Sequence, residues 1–145
     1  MTQHKVLSDD SMTAMDEIAR VLGQDAVILS TTTPDMMVAA TGVYVASKIG
    51  AINAFSYDLN AACSGFLYGM ATAATYIESG RFKKVLLIGA DKMSSIIDYE
   101  DRATSIIFGD GAGAALFEPN TEGLGYQDQH LRSDGVGRDG SSVAL

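Results

Sequence analysis

Hydrophobic residues recur along the chain with two different periods, and each period predicts one kind of element. Met12, Met15, Ile18, Ala19 and Leu22 fall at helical spacing and predict an amphipathic helix over residues 11–22, stopped by Gly23. Ala26–Ser30 (AVILS) is a short unbroken apolar run, as expected of a strand buried on both faces. Thr33-Pro34-Asp35 breaks it, because the residue before a proline avoids the helical region. A helical pattern over residues 37–49 ends at Gly50, and residues 54–59 (AFSYDL) predict a second strand. A long uncharged helix is expected over residues 62–79, closed by Gly80, and residues 85–88 (VLLI) predict a third buried strand.

Beyond Gly89 the pattern changes. Residues 93–97 predict a short helix. Residues 106–108 and 113–117 predict two strands joined by a tight turn at Gly109-Asp110-Gly111, and residues 124–131 another strand before the Ser133-Asp134-Gly135 loop. The first ten residues are polar and unpatterned, with disorder expected at their start. Helices alternating with short apolar strands predict an α/β layer fold with a largely parallel sheet. No internal repeat or linker divides the chain, so its 145 residues predict one domain.

The stretch from Ala61 to Ile77 holds no charged residue, which raises the question of a membrane span. It is rich in alanine, glycine and threonine and poor in strong hydrophobes, so a helix buried on every face is expected instead. Ten basic against eighteen acidic side chains leave a net charge of −8, which argues against nucleic-acid binding. One cysteine excludes a disulfide framework, and no basic flank precedes an apolar secretory segment; a cytoplasmic location is expected.

That cysteine, Cys63, is the leading candidate for chemistry. It sits between a predicted strand and the start of the uncharged helix, where unpaired N–H groups and the positive helix end favour thiolate over thiol. Its neighbours Ala61, Ala62, Ser64 and Gly65 leave room for a substrate carbonyl. The competing reading is a small buried hydrophobe. Gly109-Asp110-Gly111-Ala112-Gly113 has the wrong spacing and context for a dinucleotide fingerprint and reads as a hairpin turn. His4 and His130 form no metal-ligand pattern, and His130 reads as a surface residue rather than a base for Cys63. Arg81, Lys83 and Lys84 at a helix exit suit the helix dipole, with docking of an acidic protein as the alternative.

Thr31–Asp35 (TTTPD), Asp58–Phe66 (DLNAACSGF), Val85–Asp91 (VLLIGAD), Phe108–Ala115 (FGDGAGAA) and Leu131–Gly135 (LRSDG) together resemble β-ketoacyl-acyl carrier protein synthase III, in that family's order. The resemblance implies an α/β thiolase-like fold, here one incomplete half of a layered α-β-α-β-α architecture, and a homodimer. It implies Cys63 as the nucleophile that takes an acetyl group from acetyl-CoA. A carbanion from decarboxylating malonyl-acyl carrier protein would then attack the acyl-enzyme, initiating fatty acid synthesis without a cofactor. Val38 matches a position near the acyl tunnel, reached across the dimer interface. By the same resemblance residues 1–145 correspond to the N-terminal half, truncated at both ends. No residue matches the family's opening strand, its N-terminal arginine motif, or the histidine and asparagine of its second half. Condensation is therefore not expected of these residues alone, and an exposed apolar face is. The rival readings are another thiolase-fold enzyme acting on CoA esters and a non-catalytic subunit or fragment.

Overall fold

The computed structural model describes residues 2–6 and 23–134. Among the described residues five strands form one mixed sheet: β1 (Thr2–Val6), β2 (Ala26–Ser30), β3 (Phe55–Leu59), β4 (Val85–Asp91) and β5 (Gly111–Pro119), in the order β1-β5-β4-β2-β3. β2 pairs in parallel with β3 and β4, β5 runs antiparallel to β4, and β1 runs antiparallel to β5. Helix α1 (Thr41–Lys48) covers one face and helix α2 (Gly65–Glu78) the other.

The apolar run AVILS explains the centre of this arrangement. Strand side chains alternate between faces, so a strand covered on both sides must be apolar at every position. Val27 and Leu29 pack with Leu86, Ile88 and Leu116 on the α1 side. Ala26 and Ile28 pack with Val85, Leu87 and Phe117 on the α2 side. Helix α2 comes close to the sheet because its inner face is small. A Cβ at Gly69 would run into Leu87, and Ala73 is fully buried.

Helix α1 begins without a capping side chain of its own, since its N-cap is Ala40. The cap comes from β3: Asp58 accepts the Thr41 backbone N–H at 2.8 Å and the Gly42 N–H at 2.7 Å. Two otherwise orphaned donors are thereby satisfied by a carboxylate at the positive helix end. Asp58→Ala should lower stability by about 1–2 kcal/mol, read as a reduced urea midpoint at unchanged m-value.

Several sequence expectations need correction. Residues 2–6 form an edge strand, because backbone pairing with β5 does not require an apolar pattern. Residues 106–108 are not a strand; β5 pairs with β4 and β1, and a run of turns occupies residues 102–107. Residues 124–131 are irregular. Helix α1 starts at Thr41 rather than at residue 37, leaving Met36, Met37 and Val38 exposed. Residues 93–97 reduce to a 3₁₀ turn at Met93–Ser95. Helix α2 is buried along Gly65, Gly69, Ala73 and Ile77, yet Leu67 and Thr75 face outward, so it is not enclosed on every side. Among the described residues no helix is long and apolar enough to cross a membrane. The helix expected over residues 11–22 and the end of the Ser133–Gly135 loop lie outside the described residues.

Candidate active site around Cys63

β3 ends at Leu59, and the chain must turn sharply to enter α2. The turn is made at Ala62, which has φ +46°, and by a 3₁₀ turn over Ala62–Ser64. A left-handed conformation costs an alanine roughly 1–2 kcal/mol, so the elbow is a strained feature that the flanking strand and helix hold in place. Asn60 Oδ1 accepts the Ala62 N–H at 3.4 Å. The next residue is Cys63, whose thiol is free and exposed.

Cys63 stands at the mouth of an open cleft of about 670 Å³. The cleft lies beyond the carboxyl ends of β2 and β4, where the chain leaves β2 toward β3 on one side and returns to β4 on the other. That is the switch point at which parallel α/β sheets bind ligands. Phe66, Met70 and Phe117 form an apolar wall. Gly111, Ala112 and Gly113, at the start of β5, line it with almost no side chain. This explains the glycine cluster differently from the expected hairpin. None of Gly109, Gly111 and Gly113 needs a left-handed φ, and a Cβ on any of them would meet nothing within 4 Å.

Two carboxylates, Asp91 in the cleft lining and Asp110 next to Gly111 in sequence, tie down the neighbouring loops. Asp91, at the end of β4, accepts the Thr32 N–H at 2.7 Å, the Thr32 hydroxyl at 2.8 Å and the Thr31 hydroxyl at 3.2 Å. The Thr33 hydroxyl accepts the Lys92 N–H at 2.7 Å and completes the clasp. Asp110 accepts both the backbone N–H and the hydroxyl of Ser94, each at 2.7 Å. The Ser94 N–H first, then its hydroxyl and the nearby Lys92 charge, hold the Asp110 carboxyl below its ordinary value. The link is therefore intact above the ordinary carboxylate range and is lost as pH falls through the lowered value. Following the Ser94 amide resonance on acidification should show a midpoint below 3.8; a midpoint at or above that value would contradict the link.

The remaining candidates are dispersed. Val38 lies on the β2–α1 loop, 99% exposed, and does not line the cleft of its own chain. His130 is exposed and is not among the cleft residues, while His4 falls on β1 opposite Phe117. At the far end of α2 from Cys63, Lys84 pairs with Glu118 at 3.7 Å and Arg81 lies over the Phe82 ring. The Lys83 and Lys84 backbone N–H groups bind Asp25. Among the described residues no cluster of His, Cys, Asp and Glu could hold a metal ion. Sequence reading missed Asp58, Asp91 and Ser30. The first two carried a faint signal, an acidic residue at the end of an apolar strand.

A mixed five-stranded sheet between helices, with a cysteine elbow at its carboxyl edge, makes this one part of an α/β thiolase-like fold. The superposition on 3-oxoacyl-acyl-carrier-protein synthase III from Thermus thermophilus has a TM-score of 0.80 at 38% identity, covering 93% of this chain and 45% of that one. The Aquifex aeolicus synthase III gives 0.67 at 41% identity, covering 68% of this chain and 32% of that one. In sequence, β-ketoacyl-acyl-carrier-protein synthase III 2 of Bacteroides thetaiotaomicron is 57% identical over 113 residues, 78% of this chain and 34% of the relative. Residues 57–135 match the family model described as 3-oxoacyl-acyl-carrier-protein (ACP) synthase III. The chain belongs to this family. It spans about a third of the length of the curated relatives it matches.

Proposed function

We propose that this chain is the N-terminal, acyl-accepting part of a condensing enzyme that initiates fatty acid synthesis, with Cys63 as the nucleophile. The observation that carries the reading is the exposed thiol on a strained strand-to-helix elbow at the mouth of an apolar cleft. In the first step the Cys63 sulfur attacks the thioester carbonyl of acetyl-CoA. The bond from that carbon to the CoA sulfur breaks, CoA leaves as its thiolate, and the thiol proton passes through solvent to it. The Cys63 backbone N–H, at the positive end of α2, is suited to hold the negative oxygen of the tetrahedral intermediate.

Condensation asks for more. The carbanion formed when malonyl-acyl carrier protein loses carbon dioxide needs donors on its thioester carbonyl. No residue among these 145 matches the histidine and asparagine that the family resemblance assigns to that role. The chain by itself is thus read as competent for acylation and incompetent for condensation. Acyl carrier protein and acetyl-CoA as partners, a homodimer, a cytoplasmic location, and Val38 reaching the partner's acyl tunnel belong to the same proposal. The exposed position of Val38 is compatible with such a reach.

The test is the intact mass of the purified chain before and after incubation with acetyl-CoA. One added acetyl group, mapped to the peptide that carries Cys63, supports the reading. No adduct at millimolar acetyl-CoA overturns it in favour of a non-catalytic role.

A further inference from the structure

The wall of the Cys63 cleft is apolar along Phe66, Met70 and Phe117, and Ser30 and Asp91 are the polar residues that line it beside the thiol. Ser30 is the last residue of β2 and is only 7% exposed. It continues the strand face that turns Ala26 and Ile28 toward α2. Its hydroxyl lies against the first turn of that helix, so close that a Cβ at Gly65 would collide with it. Gly65 is two residues beyond Cys63, which places the hydroxyl beside the thiol's own turn.

The Ser30 backbone is held in the ladders to Leu59 and Gly89. Among the described residues its hydroxyl makes no hydrogen bond. Neighbouring hydroxyls do: Thr31 binds Asp91, and Ser56 donates to the Val27 carbonyl at 2.8 Å. A buried hydroxyl keeps its demand for a partner, and a polar spot in an open cleft is met by solvent. Whatever Cys63 carries changes that balance. A short acyl group leaves space for water at Ser30. A long saturated chain that fills the cleft displaces the water and leaves the hydroxyl alone, which costs free energy.

We propose that Ser30 is a specificity-determining residue of this cleft, whose hydroxyl selects short or oxygen-bearing groups on Cys63 over long saturated ones. The proposal deepens the acyl-accepting reading and rests on it for its biological meaning. Its test, however, reads the thiol directly. Methyl, hexyl and equally long ether-bearing alkyl methanethiosulfonates are reacted with the chain and followed by intact mass. In each case the Cys63 sulfur bonds to the probe's sulfenyl sulfur, methanesulfinate leaves, and the thiol proton goes to solvent. Rates are divided by those of the same probes with glutathione.

In the parent chain the ether probe should react about fivefold or more faster than the hexyl probe, the factor expected for one unpartnered buried hydroxyl. Ser30→Ala and Ser30→Gly should both raise the hexyl-to-methyl ratio by a similar factor. A Ser30→Ala ratio within about twofold of the parent, or an effect seen only in Ser30→Gly, overturns the proposal, because volume rather than the hydroxyl would then be at work. If neither variant folds, the parent's ether-over-hexyl ratio decides alone: near unity overturns the proposal. A chain that shows these ratios yet takes no acetyl group from acetyl-CoA would overturn the acyl-accepting reading and leave the selectivity of Ser30 standing.

Discussion

Cys63→Ala should abolish acetylation by acetyl-CoA completely while leaving the urea midpoint almost unmoved. The first half of that result follows from composition, since the chain has no other cysteine to accept the group. The second half follows from exposure. An exposed thiol contributes little packing, and alanine suits the 3₁₀ turn, so the stability change should stay within about 0.5 kcal/mol. The pairing of the two outcomes is what makes the experiment decisive. A cysteine retained as a small core residue would give the reverse, a loss of stability with residual labelling elsewhere. Cys63→Ser is the informative companion. It keeps shape and a nucleophilic atom, but the hydroxyl is a far weaker nucleophile without an adjacent base, and no histidine lines the cleft among the described residues. The one carboxylate in the lining, Asp91, is engaged by Thr31 and Thr32, so Cys63→Ser should show at most a trace of adduct.

Asp91→Ala should be the most damaging of the polar substitutions near the site, lowering stability by about 2–4 kcal/mol. Among the described residues the carboxylate is the one acceptor for the Thr32 N–H and for the hydroxyls of Thr31 and Thr32. Removing it strands a backbone donor and leaves the hydroxyl proton of Thr31, a residue only 5% exposed, without an acceptor, though its oxygen still accepts the Thr33 N–H. The loop from Thr31 to Asp35 would then be held to the end of β4, among the described residues, only by the Lys92 N–H on the Thr33 hydroxyl. Asp91→Asn retains an acceptor oxygen and should cost about half as much. Hydrogen exchange at the Thr32 amide reads the effect locally, and denaturant unfolding reads it globally. Equal, small losses for both variants would mean that the clasp contributes nothing beyond a surface contact.

The two families of residues around the sheet show how far pattern carries. AVILS and VLLI were legible as buried strands because an apolar run with no polar break can lie only between two covered faces. Cys63 was legible as a candidate because small residues flank it between a strand and a helix. The hairpin at Gly109-Asp110-Gly111 was misread because glycine has two uses, sharp turns and bare surface, and local sequence does not separate them. The edge strand over residues 2–6 was missed because its pairing is a backbone interaction with β5, more than a hundred residues away in the chain. Val38 could be placed by resemblance but not by geometry, since nothing in its own chain's cleft touches it.

The sequence by itself determined the elements whose side chains repeat with the period of the backbone, the central parallel strands and α2, and it determined that one thiol lies at a strand-to-helix passage. Those features depend on neighbours along the chain, and their signal is therefore local. The tertiary structure alone decided that Asp58 caps α1, that Asp91 clasps the Thr31–Thr33 segment, and that the Ser30 hydroxyl sits buried beside Cys63. The first two are hydrogen bonds and the third is a packing contact, and each joins residues on different elements. Hydrogen bonds carry no periodicity, so only the folded chain reveals which donor meets which acceptor.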